Sequence, residues 1–170
     1  MFAHTGQKRP EFAIEPGPDQ ESVWDYPRPP RLEPSEEVVE VRSGDMLLAR
    51  STKALRICET ASPPTYYIPE EDVEFSGLRQ VNQRSFCEWK GQASYFALES
   101  DTDGEAVAWL YAQPDERFAR IHRHVSFYPA RVACFVDGER VTPQPGEFYG
   151  GWITSRVVGP FKGEPGTGHW

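Results

Sequence analysis

The placement of proline does most to limit what this chain can fold into. Seven of its 16 prolines precede Ser35, in a stretch that includes Glu15-Pro16-Gly17-Pro18 and Tyr26-Pro27-Arg28-Pro29-Pro30. Each fixes φ and removes a backbone donor, so helix and inner-strand pairing are both blocked there. An extended leader is expected. Val23, Trp24 and Tyr26 are apolar enough to lay residues 22–34 along a folded body, whereas residues 1–21 offer little to dock. The expected organisation is a flexible N-terminal extension over 1–21 and a single domain over 22–170.

From Val38 the pattern changes to short β-rich runs separated by turn residues. Val38 to Arg42, Ser43-Gly44-Asp45 and Met46 to Ala49 read as a first hairpin. Phe86 to Trp89, Lys90-Gly91 and Ala93 to Leu98 read as a second, and Ala106 to Tyr111 as a further strand. Cys134-Phe135-Val136 meets Arg140-Val141 through Asp137-Gly138, a strong hairpin signal. Only Pro114 to Ile121 reads as helical, with Pro114 in the first turn, Asp115 and Glu116 at its positive end, and Arg117 and Arg120 at its negative end. Phe118 and Ile121, three apart, would face the sheet. A shorter helical turn is expected after Pro69, where Glu70, Glu71 and Asp72 suit a helix N-terminus. The fold class that follows is mainly β and antiparallel, with one short helix over about 114–121.

A chain of 170 residues builds one core, and aromatics at 13% of the sequence supply much of it as large rings. The net charge of −8 argues against nucleic acid as a partner, because phosphate binding needs clustered Lys and Arg. No apolar run approaches the roughly 20 residues that span a bilayer, and the first ten residues lack the layout of a secretion signal. A cytoplasmic protein without a membrane role is expected. Cys58, Cys87 and Cys134 lack zinc spacing and read as free thiols in a reducing compartment.

Arg84 to Gly91 sets a thiol, a carboxylate and an ammonium close together around a turn. In a continuous strand Ser85, Cys87 and Trp89 would share one face and Glu88 and Lys90 the other, so a turn or bulge is needed to bring Cys87 to Lys90. A cation near a thiol favours the thiolate, which would make Cys87 a nucleophile. The competing reading is a small buried thiol beside a hairpin. Glu59 precedes the rigid segment Ser62-Pro63-Pro64-Thr65-Tyr66-Tyr67-Ile68-Pro69, which would either wall a pocket or form a structural loop. Trp109, Tyr111, Phe127 and Tyr128 have strand spacing and suit either a core or the wall of a cavity. Asp101-Thr102-Asp103-Gly104 carries the carboxylates of a magnesium site but reads as a solvated turn, with no glycine-rich phosphate loop before it. His122 and His124 would share one side of a strand, yet two ligands do not make a metal site, and none is expected.

Glu59, Tyr66 to Val73, Cys87-Glu88-Trp89-Lys90-Gly91-Gln92-Ala93-Ser94-Tyr95, Ala108-Trp109-Leu110-Tyr111 with Pro114, and Phe127-Tyr128 resemble, in order and spacing, the domain of unknown function 427. The likeness extends to Glu21 to Pro30 and to Gly150 to Thr154 with Val158 to Phe161. The resemblance implies a compact β-tent fold with one short helix, in small bacterial proteins. A nucleotidyltransferase label travels with the family, but without a phosphate loop these residues give it no support. Zinc-holding β-tent relatives use paired cysteines, and this chain has no such pairs.

Glu59, Tyr67, Cys87, Lys90, Tyr95 and Trp109 fall on the family's motif positions. The first functional expectation is a small-molecule-binding domain with Tyr67, Trp89, Tyr95, Trp109 and Tyr128 lining an aromatic pocket and an acidic group of an unidentified ligand facing Lys90. The second is an enzyme using Cys87 as nucleophile or redox thiol, with Lys90 lowering its pKa and Glu59 moving protons. The third is a structural or interaction module, with a homodimer favoured by the prevalence of two-fold assemblies. No cofactor is assigned by the residues.

Overall fold

The structure is a computed structural model that describes residues 2–87, 89–146 and 148–170; Glu88 of the motif above lies outside the described residues. The chain is mainly β. Its larger sheet has seven strands in the spatial order Arg31–Pro34, Leu55–Cys58, Thr65–Pro69, His124–Phe127, Ala108–Tyr111, Gly91–Leu98, Leu78–Cys87. Every neighbouring pair is antiparallel. A second sheet orders Glu139–Arg140, Ala133–Val136, Val39–Ser43 and Met46–Ser51.

Both expected short hairpins form. Val39–Ser43 pairs with Met46–Ser51, and Ala133–Val136 turns back onto Glu139–Arg140. In the second turn Asp137 and Gly138 have φ of 49° and 82°, the left-handed pair that a two-residue turn needs to match strand twist. The third hairpin is longer than expected: its first strand starts at Leu78, with a register shift between Val81 and Arg84. Asn82 and Gln83 break the apolar alternation there, which hid the strand from a reading by period.

The expected helix is present as a 3-10 segment over Glu116–Ile121, with non-helical φ and ψ of −117° and 25° at Phe118. In 3-10 geometry residues three apart eclipse, which suits Phe118 and Ile121. Both are fully buried against the larger sheet. The turn after Pro69 is likewise 3-10, over Glu70–Asp72. No helix among the described residues is long and apolar enough to cross a membrane.

The larger sheet is apolar on both faces. Tyr66, Ile68, Ala108, Val125 and Phe127 pack against Val39, Val41, Leu48, Cys134 and Val136 of the second sheet. The alternate residues Tyr67, Ala93, Tyr95, Trp109 and Tyr111 form a separate cluster with Leu55, Ile57 and the 3-10 segment. Trp152 closes the first core: it is fully buried, stacks on Tyr66 with centroids 4.9 Å apart, and donates Nε1–H to the Phe127 carbonyl at 3.0 Å.

The leader holds more contacts than its proline content suggested. Glu21–Ser22 pairs in parallel with Val157–Val158. Phe12 meets the Trp24 ring edge-on at 5.2 Å and stacks on Trp170, and Arg9 bonds Asp25 at 2.7 Å. His4 also meets the Trp24 ring edge-on, at 5.1 Å, and Phe2 lies beneath the Arg28 guanidinium, so a few rings and the Arg9 pair dock an otherwise polar stretch and leave Trp24 fully buried.

Trp152→Ala should cost about 3–5 kcal/mol, because it opens a large void between the sheets and leaves a buried carbonyl unpaired. Urea unfolding monitored by circular dichroism checks this; the midpoint should fall with little change in slope.

Candidate functional site

The second face of the larger sheet holds a cavity of about 250 Å³. The hairpin at the sheet edge explains why two side chains predicted to diverge meet there. The first strand ends at Cys87, and Gly91 takes φ of +98°, so Lys90 sits in the reversal and escapes the strand alternation. Cys87 and Lys90 therefore line the same cavity.

Its back wall is aromatic. Tyr67 comes from Thr65–Pro69, Trp109 and Tyr111 from the neighbouring Ala108–Tyr111 strand, and Tyr128 from the end of His124–Phe127. Trp109 donates Nε1–H to the Tyr67 hydroxyl at 3.3 Å and lies 4.5 Å, centroid to centroid, from Tyr128. The Lys90 ammonium stands 5.7 Å over the Tyr111 ring, within cation–π reach. Burial raises the pKa of Tyr67, only partly offset by Lys90, so Tyr67 is a neutral phenol and a donor. For Lys90, withdrawal from water works against the ammonium, but Tyr67 and Cys87, once ionised, together with the Glu59 carboxylate and a hydrogen bond to Tyr67, hold its pKa above the ordinary value. The cavity thus keeps a cation among rings.

Glu59 follows the Leu55–Cys58 strand and also lines the cavity. Its carboxylate accepts from Arg28 Nε at 3.1 Å. Only 2% of the Arg28 side chain is exposed, and its remaining donors reach the carbonyls of His4, Thr60 and Trp170. Arg28 thereby ties the leader to the cavity wall.

Of the residues singled out in the sequence, Glu59, Tyr67, Cys87, Lys90, Trp109 and Tyr128 come together around this cavity. Tyr95 stands one step behind the wall: its hydroxyl is 2.5 Å from the Ser85 Oγ, and Ser85 lines the cavity. Trp89 does not line this cavity: it packs against the same aromatic cluster and borders a separate concavity with Asp115, Glu116 and Arg117. His124 Nδ1 meets the His122 backbone carbonyl at 2.9 Å, so that nitrogen is engaged by the main chain. Among the described residues no cluster of three or more His, Cys, Asp or Glu could hold a metal ion.

Sequence reasoning missed Arg28, Phe86 and the Gln144–Lys162 side of the cavity, including Phe148 and Gly150. Gly150 was legible as a clue: a Cβ there would stand 2.4 Å from Trp109 Cη2, so only glycine lets this loop lie on the indole.

The sequence profile of a family described as a domain of unknown function (DUF427) matches residues 31–138. No curated protein matches the chain. The matched stretch contains Glu59, Tyr67, Cys87, Lys90, Trp109 and Tyr128, whereas Arg28 and the wall from Gln144 onward lie outside it.

The three thiols differ sharply in setting. Cys58 and Cys134 are fully buried, and burial pushes the Cys58 thiol up to about 12, while Cys87 is partly exposed. Iodoacetamide applied to the native protein at pH 8 should modify Cys87 alone, with Cys58 and Cys134 reacting only after denaturation, as read by peptide mapping. Equal labelling of all three would contradict this packing.

Proposed function

The chain belongs to the family described as a domain of unknown function, DUF427, and we propose that it is a small-molecule-binding domain whose ligand presents an acidic group to Lys90 in the aromatic cavity. The observation that carries this reading is the charged Lys90 held among Tyr67, Tyr111 and Trp109. Among the described residues no carboxylate stands within ion-pair distance of Lys90, and Glu59 is engaged by Arg28. A cation withdrawn from water gains most from an anion that enters the same low-dielectric space. Concave, mostly apolar walls with a few polar groups are the usual features of ligand sites. The setting we propose with it is the cytoplasm, of the bacterial kind that the family resemblance implies, a reading supported by three free thiols.

A ligand at a hundredfold excess over its Kd contributes about 2.7 kcal/mol of stability. For a domain of this size that corresponds to a rise in Tm of about 5–10 °C. A thermal-shift panel of small carboxylates, phosphates, and nucleotides with magnesium should yield at least one such rise, lost in Lys90→Met. A panel without any shift would remove the basis for this reading.

A second reading is favoured by the meeting of Cys87 and Lys90 in one cavity. Here Cys87 attacks an electrophilic substrate as a thiolate, with the Lys90 charge stabilising it and Glu59 moving protons. Cys87→Ala would then abolish turnover of such a substrate without lowering Tm, whereas in the binding reading the same variant keeps its ligand.

A further inference from the structure

The cavity wall carries two side chains of opposite charge that do not pair with each other. In the sheet register Leu55 lies opposite Tyr67 and Ile57 opposite Thr65, so Leu55 and Ile57 stand on the face to which Tyr67 points. Continuing the alternation by two residues brings Glu59 to the same side, where it lines the cavity beside Ile57. Lys90 arrives from the hairpin reversal, with its ammonium over the Tyr111 ring. The Glu59 carboxylate acts on the Lys90 charge across this space. Yet its ion pair is with Arg28, through Nε and the Oε2 oxygen at 3.1 Å. The other Arg28 donors go to the carbonyls of His4, Thr60 and Trp170, so the guanidinium grips one carboxylate oxygen and not both. Glu59 Oε1 has no hydrogen-bond partner among the described residues.

Opposite charges facing one recess attract strongly and close on each other unless the fold holds them apart. Here both are anchored, Glu59 by a buried arginine and Lys90 by a turn, and a gap is kept between a donor and an acceptor. A simple anion would complete Lys90 and meet the lone pairs of Glu59 Oε1. A guest that carries both signs completes the two at once. Lys162, also on the wall, is directed elsewhere: it donates to the Trp170 carbonyl at 3.4 Å, with the Phe2 and Tyr149 rings 5.3 and 5.6 Å from its ammonium. The cavity volume of about 250 Å³ is below the roughly 300–1,000 Å³ of sites that enclose a drug-sized molecule. Both charged groups of the guest must therefore sit on one short skeleton. The remaining wall, with Ile57, Pro63, Trp109 and Tyr128, offers hydrocarbon to a small apolar substituent.

Resting on the proposed anion-binding reading, we propose that the ligand class is a free α-amino acid with a branched aliphatic side chain, its carboxylate on Lys90, its ammonium on Glu59 Oε1 and its side chain against Trp109 and Tyr128. Arg28 is then a positioning residue: it never reaches the ligand, but it fixes the carboxylate that does. The arrangement reads three features of one carbon atom, and loss of either charged group leaves a charge of the wall without its partner.

Isothermal titration of the full chain with four probes of one shape tests this: L-leucine, 4-methylpentanoate without the ammonium, 3-methylbutylamine without the carboxylate, and isobutylmalonate with a second carboxylate in place of the ammonium. The expected result is that leucine binds and each of the others binds at least tenfold more weakly. Glu59→Gln keeps an acceptor for Arg28 and should weaken leucine at least tenfold while leaving 4-methylpentanoate unchanged; the series on the parent chain decides the proposal even if this variant does not fold. Equal affinity for leucine and 4-methylpentanoate, both lost in Lys90→Met, would overturn the ammonium contact and leave the anion site standing. Tighter binding of isobutylmalonate than of leucine would overturn the role of Glu59 and assign the second group to the Lys162 side. Absence of leucine binding to the parent protein would overturn the ligand class, and the separate panel of carboxylates, phosphates and nucleotides then decides whether the anion reading falls with it.

Discussion

The pleat of the seven-stranded sheet is the constraint on which the rest of the molecule depends. Successive residues of a strand point to opposite faces, and here neither face is given to water. Tyr66 goes to the core between the sheets and its neighbour Tyr67 to the cavity; Ala108 and Leu110 pack inward while Trp109 and Tyr111 face the cavity side. The same two strands thus hold the fold together with one set of residues and shape the site with the other. A slip of one residue in register would exchange the two sets completely.

That division explains how a cation can stand in an aromatic recess. Trp109 and Tyr67 are fixed to each other by a hydrogen bond, and their strands are fixed by the core on the far side. Lys90 needs no strand of its own, because the hairpin reversal carries it over the rim of a wall that is already rigid. The charge of −8 over the chain makes this local positive centre distinctive, although the wall also carries the Glu59 carboxylate, which is paired with Arg28.

Much of the framework was legible because short strands and their turns are local. Asp137-Gly138 announces its hairpin by residue type, and Phe118 and Ile121 announce a buried stripe by spacing alone, whether the helix is α or 3-10. What escaped was decided by chain segments meeting from afar. Arg28 sits in a proline-rich run that reads as a spacer, yet its guanidinium is bonded to Glu59, Thr60 and the two ends of the described chain. Phe148 has no periodic pattern around it and lies outside the family match. Trp89, grouped with the site by its neighbours in sequence, does not line the cavity, because the reversal that delivers Lys90 inward sends the preceding side chain toward the 3-10 segment, where it packs on the outer part of the same cluster. Proximity in sequence was a sound guide along strands and a poor one at the turn.

Gly150 gives the site a property of a different kind. The indole of Trp109 cannot retreat from a side chain placed at this position, since it is nearly buried and bonded to Tyr67. Any substituent at Gly150 must therefore lift the loop, and Phe148 with it, away from the sheet. The aperture of the recess is in this sense written as a missing atom, and relatives that carry alanine or serine there would form a natural series graded by the width of what they admit.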